Sequence, residues 1–109
     1  MVRLRSNGVP ALLLTPIQKK FLLRLAHRLH PIVIVGKKGV SSNLLEEIEA
    51  ALEHHELIKI KLAVGDRTER LKLVQEIAEK SDSAVIQFIG RTASLYRPSN
   101  RPQIHLPLS

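Results

Sequence analysis

Between Pro31 and Asn43 the chain changes character abruptly. Ile32-Val33-Ile34-Val35 is a run of β-branched apolar residues, Gly36-Lys37-Lys38-Gly39 interrupts it, and Val40-Ser41-Ser42-Asn43 reads as a helix start. A strand that passes into a helix through so short a loop belongs to an α/β architecture. The uninterrupted apolar run predicts a strand buried on both faces. The loop itself suits a nucleic-acid backbone. Glycine leaves room for a phosphate to reach the main chain. The first amides of the following helix lack intrahelical partners and lie at the positive end of its dipole. Lys37 and Lys38 add two full charges. The plain alternative is a strand-to-helix turn with solvated lysines. The spacings G-x-x-x-x-G-K-[ST] and G-x-G-x-x-G, which mark nucleotide sites, are both absent.

The rest of the chain supplies the partners such a unit needs. Thr15-Pro16 predicts a helix start, with threonine as cap and proline at the first helical position. Ile17, Phe21, Leu22, Leu25 and Leu29 form an apolar stripe, ended by Pro31, with Lys20, Arg24 and Arg28 as a basic ridge beside it. A second helix buries Leu44, Leu45, Ile48, Ala51 and Leu52, with Glu46, Glu49 and Glu53 on a solvated face opposite. Leu57 to Val64 alternates: Ile58, Ile60, Leu62 and Val64 face one way, Lys59 and Lys61 the other, as in a half-buried strand. Asp66, with Glu69 three residues on, opens a third helix whose core stripe is Leu71, Val74, Ile77 and Ala78. Ala84–Ile89 and Thr92–Arg97 form a hairpin turning at Gly90-Arg91. The order is α-β-α-β-α-β-β, with a right-handed parallel crossover first and an antiparallel pair last. The expectation is an α/β domain, a mixed four-stranded sheet covered by helices, over residues 14–98. A flexible basic arm (1–13) precedes it and an extended tail (99–109) follows.

Charge is segregated along the chain. The 109 residues carry a net charge of +7, yet all 10 acids lie between Glu46 and Asp82. That pattern points to a polyanionic partner. An anionic membrane surface would require a basic amphipathic helix with exposed bulky apolar residues, so no membrane partner is expected. Only Phe21, Phe88 and Tyr96 are aromatic, which argues against sheet or barrel folds that stack bases on aromatic rings. The absence of cysteine excludes disulfides and thiolate zinc sites and is compatible with a reducing, cytoplasmic setting. No secretion or membrane signal is expected, because the apolar stretch Val9–Leu14 is too short for a span and is broken by Pro10.

No other constellation carries chemistry. His27 and His30 share a helical spacing without a third ligand, so no metal is expected; His54 and His55 mark a helix C-terminus. Ser41 and Ser42 read as helix caps, not nucleophiles. Without an acid, a base and a nucleophile together, the chain reads as a non-enzyme with no cofactor and no small-molecule substrate.

Taken in order, these motifs resemble a known family. Leu14-Thr15 to Lys19-Lys20, Leu25-Ala26-His27, and Val33 to Gly39 are similar to the CRM domain (chloroplast RNA splicing and ribosome maturation), in particular its bacterial single-domain YhbY-type members. So are Glu46 to Leu52, His54 to Lys61, Asp66-Arg67, Val85 to Arg91 and Leu95 to Pro98. The resemblance implies a fold like the C-terminal domain of translation initiation factor three. It also implies binding of ribosomal RNA in precursors of the large subunit, whose assembly the chain assists; a monomer is expected. By position it places RNA contacts at Gly36, Lys37, Lys38 and Gly39, with Lys20, Arg28, Lys59, Lys61, Arg91 and Arg97 as neighbouring basic positions. Two other readings stand beside it: a DNA-associated architectural protein, and an adaptor whose face of Glu46, Glu49 and Glu53 binds a basic ribosomal protein.

Overall fold

Each helix begins where a short polar side chain takes up an orphan amide. The computed structural model describes residues 13–108 and arranges them as α1 (Pro16–Ala26), β1 (Pro31–Val35), α2 (Ser42–His55), β2 (Leu57–Leu62), α3 (Arg67–Lys80), β3 (Ala84–Ile89) and β4 (Thr92–Tyr96). Thr15 and Gln18 form a reciprocal capping box at α1. Ser41 Oγ accepts from the Leu44 amide at 3.1 Å, and Asp66 Oδ1 from the Glu69 amide at 2.9 Å. Each such cap contributes about 1 kcal/mol. The arm expected over 1–13, with Arg3 and Arg5, lies outside the described residues except for Leu13.

The expected element order holds. The sheet runs β1-β2-β4-β3. β1 pairs parallel with β2, and β4 pairs antiparallel with both β2 and β3. Alternation then builds two cores. On one face Val33, Val35, Ile58, Ile60, Leu62, Ala93 and Leu95 pack under α2 and α3. On the other, Leu57 and Tyr96 meet Leu22 and Ala26 of α1, with Ile86, Ile104 and Leu106 around them.

Two expectations about burial and one about a helix end are corrected. β1 is an edge strand and only one of its faces is covered, so Ile32 and Ile34 remain 49% and 64% exposed instead of buried. Leu71 lies at the margin of α3, whose buried residues are Val74, Ile77 and Ala78. α1 ends at Ala26, well before Pro31; Leu29 lies beyond it but stays packed against the smaller core.

The segment after β4 has no helix or strand, and it is anchored. Glu56, only 2% exposed, follows α2 with φ +66, a conformation that glycine usually occupies. Its carboxylate explains the glutamate: Oε2 accepts from the Ser99 amide and hydroxyl, and Oε1 from the Gln103 and Ile104 amides, all at 2.8–2.9 Å. Further along, the Gln18 side chain donates to Pro107 O at 2.9 Å. The tail thereby fastens α1 to the sheet.

Candidate nucleic-acid interface

The loop after β1 is a closed turn. The Gly39 amide donates to Gly36 O at 3.0 Å, which leaves Lys37 and Lys38 at the corners, both exposed. Gly39 has φ +63, so a side chain there would be strained. Gly36 meets a different need: a Cβ built on it finds nothing within 4 Å, and its backbone is open to approach. Because Ser41 Oγ occupies the Leu44 amide, the α2 end offers a visitor only its earlier amides. A shallow groove of about 330 Å³ runs along the loop, bordered by Ile34, Lys37, Lys38, Ser41, Asn43 and Glu47. Glu47 is the one carboxylate on its rim, against two lysines.

The sheet gathers other basic groups to the same end. The Ala63 amide donates to Val35 O at 2.9 Å, and the Leu62 amide to Arg91 O at 2.7 Å. These bonds place the glycine-lysine loop, the Ala63–Asp66 connection and the Gly90-Arg91 turn side by side. Lys61 sits at this edge, exposed, and Lys59 one pair further in, half-buried. Two further basic residues that sequence reasoning did not assign lie here. Arg70 donates to Gly90 O at 3.2 Å and to Gly65 O at 2.7 Å, clamping the two turns. Arg67 lies over the Phe88 ring, 5.2 Å from its centre. In the sequence both stand among Asp66 and Glu69, which disguises their place in a basic edge.

Lys20 and Arg28 are exposed but are not part of this cluster. Lys20 borders a smaller notch of about 150 Å³ with Ile17, Phe21, Arg24 and Pro107. Arg28 precedes β1, so the length of that strand, about 13 Å, separates it from the loop.

Arg97, expected among the RNA-contacting positions, is engaged within the fold. Its guanidinium donates to Glu49 at 2.6 Å and to Ser81 O at 2.8 Å, with Glu53 at 3.7 Å, and the side chain is 11% exposed. It has no free fork to offer a ligand; it ties α2 to the end of α3. Arg97→Ala should therefore lower stability by about 2 kcal/mol, readable as a thermal shift, while leaving the salt dependence of RNA binding unchanged. The same contacts engage the acidic face of α2, since Glu53 also accepts from the Asn100 amide at 2.9 Å.

The charge segregation along the sequence becomes a segregation across the sheet. The acids sit on α2, on α3 and at their ends, in the layer covering one face, except that the Glu56 carboxylate is taken up by the tail. α1, the strands and the open part of the other face carry none. Among the described residues no three metal-capable side chains cluster, and no helix is long and apolar enough to cross a membrane.

The CRS1 / YhbY (CRM) domain pattern matches residues 14–97, the span from the α1 cap to the end of β4. The chain belongs to the CRM domain family. An RNA-binding protein of Haemophilus influenzae is 46% identical over 90 residues, covering 83% of this chain and 91% of that one. A Bacillus subtilis relative named "Probable RNA-binding protein YqeI" is 40% identical over 96 residues, covering 87% of this chain and all of its own. The solution structure of a Staphylococcus aureus protein superposes with a TM-score of 0.75 at 34% identity, covering 87% of this chain and all of that one. In this CRM domain the family match stops at the salt-bridged Arg97, and the tail docked on Glu56 lies beyond it.

Proposed function

We propose that this CRM domain binds RNA through the Gly36–Gly39 loop, and that its target is ribosomal RNA in precursors of the large subunit, whose assembly it assists in the cytoplasm. The observation that carries the reading is the acid-free side of the molecule, ending at a two-lysine turn whose backbone is open at Gly36. Lys61 and Arg91 continue the basic edge beside the loop, and Lys59 lies behind it. Contacts of this kind bind phosphate and position the chain, with little sequence information. With about five phosphates neutralised, log K against log salt should slope near −3.5 for unpaired RNA. The names of the relatives support the RNA partner; the ribosomal target rests on the family resemblance. The adaptor reading is weakened because Glu49 and Glu53 already hold Arg97 and Asn100.

The test is crosslinking in cells with mapping of the contacts, joined to gradient sedimentation. Crosslinks concentrated in large-subunit ribosomal RNA, from fractions lighter than the mature subunit, are the expected result. Crosslinks spread over messenger RNA would defeat the ribosomal target. Equal competition by DNA and RNA of one sequence in vitro would favour the architectural alternative.

A further inference from the structure

We propose that the open half of the sheet is a second part of this RNA site and that it takes an unpaired stretch of RNA, a reading that rests on the RNA function above. The strand registers place Ile34, Lys61, Thr92 and Ile89 opposite one another in a single cross-strand row. Lys59, Ser94 and Gln87 form the row behind it. Both rows lie on the side of the sheet that α1 occupies; the smaller core covers the far end, over Leu57, Tyr96 and Ile86, and cover extends to Ser94, which is buried, with Lys59 and Gln87 half-buried beside it. The front row is left to solvent: Ile34 is 64% and Ile89 61% exposed, and Lys61 is exposed between them.

Isolated surface isoleucines are ordinary. These differ in sharing a rigid row with a lysine and in continuing the loop groove, because Ile34 borders that groove as well. The rows contain no acid, so their charge complements a polyanion. Their apolar members identify which form of it. A duplex hides its base faces in the stack and presents phosphates and sugar hydroxyls, against which an isoleucine gains nothing. Unpaired bases bring apolar faces that can be desolvated on Ile34 and Ile89 while their phosphates meet Lys59, Lys61 and the loop. The row spans three strand spacings, about 14 Å. Other RNA-binding modules seat two or three bases on a four-stranded sheet, using aromatic rings. Here the platform is aliphatic.

The probes are a mixed-sequence unpaired RNA of about 12 nucleotides and a blunt RNA duplex of the same length. The variant Ile34→Thr with Ile89→Thr keeps β-branched, strand-forming side chains and removes apolar surface. It should lose about five- to thirty-fold on the unpaired RNA and less than about two-fold on the duplex, with the salt slope unchanged, because no phosphate contact is removed. Lys61→Ala should lower the slope on the unpaired RNA by about 0.7. No loss on the unpaired RNA by either variant, or an equal loss on both probes by the isoleucine pair, overturns the sheet site. So does sedimentation equilibrium in which the wild type is a dimer that the isoleucine pair dissociates, since a second copy then occupies the face. Failure of the underlying reading looks different: Lys37→Glu with Lys38→Glu would bind both probes unchanged.

Discussion

Reversing both loop charges, with Lys37→Glu and Lys38→Glu, is expected to lower affinity for unpaired RNA by about a hundredfold and to flatten the salt slope by about 1.4. Two phosphate contacts are lost, and two carboxylates then face the backbone beside Glu47. Both lysines are exposed at the corners of a turn held by the Gly39–Gly36 bond, which the substitutions leave in place. Circular dichroism and the thermal midpoint should therefore change little. A filter-binding or fluorescence titration across salt concentrations measures both quantities. Unchanged affinity and slope would remove the loop from the interface.

The second large effect is on stability. Glu56→Gln is expected to lower it by about 3 kcal/mol and the thermal midpoint by about 15 °C. Each carboxylate oxygen of Glu56 accepts two donors from the tail, and an amide would turn an NH2 group toward one of those pairs. Hydrogen exchange at the amides of Ser99, Gln103 and Ile104 should accelerate first. The pH dependence follows the same contacts. Burial pushes the Glu56 carboxyl up, but the bonds from Ser99, Ile104 and Gln103 outweigh it and hold the group below its ordinary value. A depressed carboxyl contributes its stability above the unfolded value of 4.5 and loses it as pH falls through the lower folded one. Wild-type tail protection should thus fade below about pH 4.5, and Glu56→Gln should show no such step. A midpoint unmoved by the substitution would mean that the tail contacts contribute nothing.

Much of this was legible in the sequence because it rests on local rules. The three caps at Thr15, Ser41 and Asp66, the alternation of Ile58 to Leu62 and the Gly90-Arg91 turn depend on neighbours within a few residues. What was not legible depends on distant ones. An apolar run such as Ile32–Val35 does not say whether one or both of its faces will be covered; that follows from β1 ending up at the sheet edge, away from α1. Arg97 looks like any other basic residue until the fold sets it between Glu49 and Ser81. Glu56 resembles the solvated acids before it in α2, and only the returning tail makes its carboxylate a structural centre. For the candidate site, the glycines and lysines of the loop were readable, whereas Arg67 and Arg70 were masked by adjacent acids. The row joining Ile34 to Ile89 exists only after the strands have paired.

The smaller core also sets a timetable for synthesis. Its helix, α1, is made well before Tyr96, Ile104 and Leu106, which seal it. At ribosomal rates of about 5–20 residues per second, some 80 residues separate Leu22 from Ile104 by roughly 4–16 s. Through that interval Leu22 and Ala26 have no partner from the end of the chain. The helix gains its last apolar partners only once Ile104 and Leu106 have been made, and part of its apolar stripe stays open until then.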